Sequence, residues 1–531
     1  MRRWNGWGDD SDHFALTDDA RSFLKLRIGE GTPGTDATRA EALASVPESR
    51  LQSSSFFQID AATRLDHSRG QSFPDWLAMR NGRMGPYADG VALPATHDEA
   101  AAALAEAARI GATVIPYGGG TSVVGHLGVP SSDQPVVNIS LEKMNRLLAV
   151  DEQSMLATFG AGTPGPQIEA QLASSGYLVG HFPQSYEYST LGGWVVTRSS
   201  GQQSYRYGRI ENIFASGRLV TPRGGLNVGG MPASSAGQDL REALMGSEGR
   251  FGLLTEVTAR IRRLPQRDDF HGVFFPSWDQ GLEAVRTMVQ DDVPLSMLRL
   301  SNEIETETQL ALVAGHRTAI EWLQRYLRLR GCGTGQCMLM IGVTGSNHEC
   351  SYSRHRALDI AARFRGVHVG RFMGKAWAKN RFRGPYLRNS LWEHGYAADT
   401  VETAINWPKA TPLMRAIEKA AQGVLAAQNE RVHAFTHLSH VYRQGCSIYS
   451  TFVYRSAGDF DADMARWRPL KQRLCETIVE YGGTISHQHG VGVDHAPYLL
   501  AEKGELGMDL IRAMAREFDP QGMMNPGKLF A

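Results

Sequence analysis

With 531 residues, 42% of them hydrophobic, the chain can bury more than one core, and two or more domains are expected. Its 55 Lys and Arg balance 55 Asp and Glu, both signs are spread along the chain, and this excludes a basic nucleic-acid surface and an acidic tail. No run reaches the roughly 18–20 apolar residues of a spanning helix, and the scattered Cys332, Cys337, Cys350, Cys446 and Cys475 form neither a disulfide framework nor a CxxC metal pair.

A reducing, cytoplasmic compartment is therefore expected, compatible with contact at a membrane surface. Residues 1–10 lack an apolar stretch behind Arg2 and Arg3 and do not read as a secretory signal; Gly527 to Ala531 is not a peroxisomal address.

Residues 1–85 read as polar and irregular, with a few helical stretches. Thr96 and Glu99 have capping-box spacing, which predicts an alanine-rich helix to residue 110 with Gly111 as its stop. The apolar run Thr113-Val114-Ile115 then leads into Pro116-Tyr117-Gly118-Gly119-Gly120-Thr121-Ser122. Three consecutive glycines let the backbone turn several N–H groups into one concavity, and Thr121 and Ser122 add hydroxyl donors. That set suits a pyrophosphate. Strands are predicted over 134–139 and 253–261, and a helix over 166–175. Further on, 277–289 and 357–365 read as helices and 338–343 as a strand. The tail holds helices over 461–481 and 504–518, then an Asp519-Pro520-Gln521-Gly522 turn.

Two more clusters of small residues follow the first. One runs through His181-Phe182-Pro183-Gln184-Ser185, Ser189-Thr190-Leu191-Gly192-Gly193-Trp194 and Thr197-Arg198-Ser199-Ser200-Gly201. The other is Met245-Gly246-Ser247-Glu248-Gly249-Arg250-Phe251-Gly252. Three spaced loops suit a ligand as long as a dinucleotide, held by main-chain donors. No GxGxxG with an acidic residue about 20 positions on is present, so a Rossmann site is not expected.

The three clusters together resemble the FAD-binding domain of the vanillyl-alcohol-oxidase (PCMH-type) flavoproteins. The resemblance implies an α+β protein: a PCMH-type domain of two α/β subdomains over 86–266, an α/β cap domain with an antiparallel sheet covering the flavin over 267–455, and a helical C-terminal segment over 456–531 that returns to the flavin site. It also implies FAD contacts at Pro116, Gly118, Gly119, Gly120, Thr121, Ser122, Pro183, Ser185, Thr190, Gly193, Thr197, Ser200, Glu248 and Gly252. Some members attach flavin through a histidine near the first loop. Here Ser122 stands two places after the third glycine, and His126 lies farther on, so FAD is expected to be non-covalent.

Trp4-Asn5-Gly6-Trp7-Gly8, Glu187-Tyr188-Ser189-Thr190-Leu191-Gly192-Gly193-Trp194 and Ser486-His487-Gln488-His489-Gly490-Val491-Gly492 narrow the likeness. They are similar to the alkyldihydroxyacetonephosphate synthases, which exchange the acyl chain of acyl-dihydroxyacetone phosphate for a fatty alcohol. By match, Tyr449 is the acid/base group, and its pKa near 10 is expected to need lowering. His487 and His489 alternate, so in an extended chain both face one side. Arg388 matches a phosphate-binding arginine, Arg299 lies near the flavin, and Gln488 lies in the substrate site. The family has three consecutive histidines at 487–489, and Gln488 departs from that pattern. The substrate implied is a lipid with a phosphate head group; nucleic acid is not expected, and a homodimer stays open.

A second reading is an FAD-dependent dehydrogenase acting on glycerol 3-phosphate or a 2-hydroxy acid. Many such relatives hold a metal with two histidines seven apart and a Glu before His-Gly. Here His440 is followed seven residues on by Ser447, and Gln488 precedes His489, which leaves too few ligands, so no metal is expected. A third reading, a non-catalytic flavoprotein, sits poorly with Tyr449, His487, His489 and Arg388 all present.

Overall fold

The computed structural model describes residues 2–34, 36–52, 55–312 and 317–530. Thr96 caps the helix His97–Arg109 by accepting from the Glu99 N–H at 3.2 Å. The reciprocal half of the box is replaced: the Glu99 carboxylate accepts from Ala95 N–H at 2.7 Å. Ala100, Ala103, Leu104 and Ala107 form its buried face, and Gly111, at φ +66°, turns the chain out of it.

This helix packs on a three-stranded parallel sheet in which Val136–Ser140 lies between Gly90–Ala92 and Thr113–Tyr117. A five-stranded antiparallel sheet follows, in the order Leu147–Asp151, Leu156–Gly160, Leu253–Arg260, Phe214–Thr221, Gly224–Gly229. Both share one apolar core with Val114, Val137, Phe159, Trp194, Phe214 and Val257. The C-terminus closes this unit: Val114 N–H donates to Met523 O at 2.8 Å, Val114 O accepts from Asn525 N–H at 2.7 Å, and Asn525 Nδ2 donates to Glu248 O at 2.8 Å.

The cap is a seven-stranded sheet in the order Val367–His368, Arg267–Phe275, Cys337–Gly345, Met297–Ser301, Val432–Leu438, Gly445–Arg455, Tyr396–Asn406. All of its pairings are antiparallel. The helices Trp407–Ala426 and Phe460–Tyr481 pack against it.

The core of the cap crosses the expected boundaries at 85/86 and 455/456. Phe73, Trp76 and Leu77 from the helix Phe73–Arg80 lie in one cluster with Trp392 and Tyr454, and with Met464, Trp467 and Leu474 from Phe460–Tyr481. The helix Asp18–Ile28 likewise joins Leu391, Tyr396 and Val453. Aromatic burial, with Phe73 stacked on Trp467 at 5.5 Å and Trp76 edge-on to Trp392 at 4.9 Å, outweighs sequence distance here. Among the described residues no helix is long and apolar enough to cross a membrane. The five cysteines are buried and free.

Candidate active site

A cavity of about 620 Å³ runs between the glycine loops and the cap sheet. Every residue expected from sequence to touch cofactor lines it: Pro116, Gly118 to Ser122, Pro183, Ser185, Thr190, Gly193, Thr197, Ser200, Glu248 and Gly252. The loops interlock as well as line. A Cβ on Gly119 would stand 1.9 Å from the Tyr188 carbonyl oxygen, and Gly120 sits at φ +68°, where a Cβ would strike the Tyr117 hydroxyl. Gly119 is thus fixed by the approach of the second loop and Gly120 by its positive φ and the Tyr117 ring of its own loop, and this keeps main-chain N–H groups at the cavity wall.

Glu248, at φ +52°, does more than line the wall. Its carboxylate accepts from the N–H groups of Val491 and Gly492 at 2.5 and 2.8 Å, and it lies 2.8 Å from His126 Nε2. The other nitrogen of His126 is 2.6 Å from Ser122 Oγ. Sequence reading treated Glu248 only as a cofactor contact; its carboxylate also ties the turn after His489 to the first loop.

On the cap side, strand alternation places Phe435, His437 and Ser439 on the cavity, with Tyr449, Thr451, Val453, Ala398 and Thr400 from the two neighbouring strands. Register sets Glu402 opposite Tyr449, and Tyr449 opposite His437. Two such steps along the strand, about 13 Å, lead from Tyr449 to Val453. There Leu312, Leu387, Leu391, Ala398 and Phe435 make an apolar lobe. One end of the wall carries titratable groups, and the other suits a hydrocarbon chain.

Tyr449 stacks on His437 with centroids 5.0 Å apart and meets His489 edge-on at 5.8 Å. Burial pushes its hydroxyl up to about 12, against the opposing pull of Thr400 and Arg299. The sequence expectation was a lowered value. The site instead keeps the phenol protonated at neutral pH, as a donor.

Arg388 lies on the helix Gly384–Glu393 with its guanidinium carbon over the Trp76 ring, 4.7 Å from the centroid. One nitrogen donates to Gln71 O at 2.8 Å, while Nε and Nη2 are buried with no partner in the protein. Burial lowers its pKa to about 10, so it stays charged. Unpaired buried N–H groups on a residue that lines a cavity call for an anionic ligand. Arg299 is different: its Nη2 donates to Glu305 at 2.6 Å and lies 3.2 Å from His437 Nδ1. Its buried partner is thus Glu305. Burial pushes that carboxyl up, but His437 and Arg299 outweigh it and hold it down to about 2.

The segment 484–490 is a bent turn rather than an extended strand, which corrects the shared-face reading of its histidines. Gln488 and His489 line the cavity; His487 does not. It packs behind the wall on His440, ring to ring at 4.8 Å, and its Nδ1 lies 3.1 Å from Glu402. Glu402, only 1% exposed, went unnoticed in the sequence. It accepts from Ser439 Oγ at 2.5 Å and Gln488 Nε2 at 2.6 Å, and lies 3.5 Å from His440 and 3.9 Å from His489. Burial alone would raise this carboxyl; His487 and His440 hold it well below the usual carboxylate range.

Ligand atoms of Glu402, His440 and His487 lie within 4.8 Å of one another, close enough for a metal ion. Glu402 thus supplies a ligand that sequence spacing lacked. The outer partners favour hydrogen bonding instead. Arg209, which can only donate, lies 2.7 Å from His487 Nε2, and the Tyr442 hydroxyl lies 2.6 Å from it. Nε2 therefore accepts and Nδ1 carries the proton that Glu402 receives, whereas a metal on Nδ1 needs that nitrogen bare.

Burial keeps several imidazoles neutral: His181 is pulled down to about 3, and His271, His433 and His487 to about 4. The unfolded chain binds these protons at about 6.5, so stability is complete above that pH. It is lost as the pH falls from about 6.5 towards 4, by up to about 1.4 kcal/mol per histidine per unit. A lower Tm at about pH 5 than at about pH 7.5 is the expected outcome, read by circular dichroism.

Two family models match the chain: "FAD binding domain" over residues 88–229 and "FAD linked oxidases, C-terminal domain" over 264–529. The alkyldihydroxyacetonephosphate synthase of Trypanosoma brucei brucei is 31% identical across 99% of this chain and 92% of its own length. The chain belongs to the alkyldihydroxyacetonephosphate synthase family of FAD-dependent enzymes. The Dictyostelium discoideum synthase is 29% identical over 99% of this chain and 93% of its own. A solved alkyldihydroxyacetonephosphate synthase structure superposes with a TM-score of 0.84 at 26% identity, covering 99% of this chain and 98% of that one.

The α+β architecture and FAD as cofactor follow from this membership, and the residues present fit the group. The interlocked Gly118–Gly120 cradle has no room for side chains, and Ser200, which lines the same cavity, has its Oγ buried without a partner.

Proposed function

We propose that the enzyme exchanges the acyl chain of acyl-dihydroxyacetone phosphate for a fatty alcohol, giving the ether and a fatty acid. The observation that carries this is Arg388: a charged guanidinium with two buried, unpaired N–H-bearing nitrogens, in a cavity that continues into an apolar lobe. A phosphate fills the first and a long chain the second. Bound FAD supplies the electrophile of the exchange. The protein's residues do the rest: Arg388 orients the phosphate, Tyr449 holds a proton at its hydroxyl beside His489, and Gln488 offers an amide held by Glu402.

FAD is held without a covalent bond in this reading, because Ser122 replaces the attachment histidine and His126 Nδ1 is engaged by Ser122 Oγ at 2.6 Å. A reducing cytoplasmic compartment suits the five free thiols. Peripheral contact with a membrane and a homodimer belong to the same reading, since both chains come from lipid.

The purified holoenzyme, mixed anaerobically with acyl-dihydroxyacetone phosphate and hexadecanol, is expected to form the ether with no net loss of flavin absorbance. Rapid bleaching by glycerol 3-phosphate or a D-2-hydroxy acid would sink the proposal in favour of a dehydrogenase. Arg388→Lys removes the paired planar donors while keeping the charge. Losing one charge-assisted hydrogen bond, about 1.5–3 kcal/mol, is expected to raise KM for the phosphate substrate about 10–100-fold, with FAD content unchanged.

A further inference from the structure

His487 stands between two cavities. On its far side a second one, of about 460 Å³, is lined by Tyr205, Arg209, Tyr442 and the exposed Arg262, Asp292 and Arg443, so it reaches solvent. From the first cavity to the second runs an unbroken file of groups that both give and take protons. Ser439 lines the reaction cavity and its Oγ lies 2.5 Å from Glu402; Glu402 is 3.1 Å from His487 Nδ1; His487 Nε2 is 2.6 Å from the Tyr442 hydroxyl. No link exceeds 3.1 Å, and Glu402 and His487 are buried.

We propose that Ser439, Glu402, His487 and Tyr442 form a proton path that lends a proton to the reaction cavity and takes one back. The proposal rests on the exchange reaction given above. At rest the Tyr442 hydroxyl donates to Nε2 and Nδ1–H donates to Glu402, so these two bonds point inward; the Ser439 hydroxyl donates to Glu402 and turns towards the cavity when it passes a proton on. Water in the second cavity gives a proton to Tyr442 as the phenol proton passes to Nε2. The Nδ1 proton passes to Glu402, and Glu402 hands its proton on through Ser439. His487 is left as the opposite tautomer, with Nε2–H donating to Tyr442 and the Arg209 N–H turned from Nε2 to the Tyr442 oxygen, 3.2 Å away.

That tautomer suits outward transfer. When the alcohol oxygen forms its new C–O bond, its proton enters at Ser439, reaches Nδ1 through Glu402, and the Nε2 proton leaves through Tyr442. The resting tautomer is then restored. The inbound proton goes to the departing acyl oxygen as the old C–O bond breaks, so the acid leaves neutral and ionises in bulk water. Nothing is oxidised or reduced, and one proton enters for each that leaves. Arg209, fixed 2.7 Å from Nε2, opposes a lasting imidazolium, so the proton passes through.

Tyr442→Phe keeps the ring and removes the outer link. Two readouts on the holoenzyme are paired: kcat for the exchange, and the solvent-exchange rate of the His487 ring N–H by NMR of ¹⁵N-histidine-labelled protein. The variant is expected to slow N–H exchange at least tenfold and to lower kcat at least tenfold, with FAD retained. Ser439→Ala, which cuts the cavity end, is expected to lower kcat similarly while His487 exchanges as in the wild type, a split that loss of packing would not give. Wild-type exchange rates in Tyr442→Phe would overturn the path. If the wild type does not exchange chains at all while Tyr442→Phe still slows His487, the reaction proposed above falls and the path stands.

Discussion

Tyr449→Phe is expected to lower kcat by about 10²–10⁴-fold, the range that general acid–base groups contribute, while FAD stays bound. The ring stack on His437 survives the change, and the substitution removes one oxygen from a site bounded by His437 and His489. The sheet register pairs Tyr449 with His437 and Glu402, both on the cap. With its pKa pushed up to about 12 by burial, Tyr449 holds its proton across the working range. The wild-type rate is therefore expected to show no basic limb from this group below about pH 11. Steady-state kinetics with flavin-to-protein ratios check both points. A variant that purifies colourless would make Tyr449 a wall of the pocket rather than an acid.

The cofactor side was legible in the sequence because its geometry is local. A cradle for phosphate needs small residues in consecutive or near-consecutive positions, and the three clusters carry that requirement in their composition. Arg388 and Tyr449 were legible by resemblance. Glu402 and His437 were not, since what joins them to Tyr449 is pairing between strands; Glu305, six residues after Arg299 on the helix Glu303–Leu312, was missed because the turn from strand to helix is what brings it back to the guanidinium. Register of that kind leaves no local trace. A lone Glu between Val401 and Thr403 on the strand Tyr396–Asn406 was the available signal: a charge among residues that otherwise pack. His487 was misplaced for a related reason. Alternation predicts a shared face only in extended chain, and the backbone around it turns, sending His487 behind the wall and leaving Gln488 and His489 in front. The domain boundaries blurred because Phe73, Trp76 and Trp467 join the cap core across hundreds of residues.

Glu402→Gln is the second change with a large expected effect. The carboxylate serves donors on both oxygens: Ser439 and His487 on one, Gln488 on the other. A glutamine can keep one oxygen towards Ser439 and His487, but its NH₂ then faces the Gln488 NH₂ at the 2.6 Å contact. Either a buried donor goes unsatisfied, costing about 1–3 kcal/mol, or Gln488 turns its amide and presents the wrong end to the substrate. The expected result is a lower Tm, FAD retained, and kcat reduced about 10²-fold, because an amide does not pass protons. The double variant Glu402→Gln with Gln488→Glu remakes the contact with its roles exchanged. It is expected to recover most of the lost Tm but not kcat, since His487 still faces an amide. Recovery of kcat in the swapped pair would show that Glu402 acts by shape alone, and that the carboxylate at 402 is not what couples His487 to the cavity.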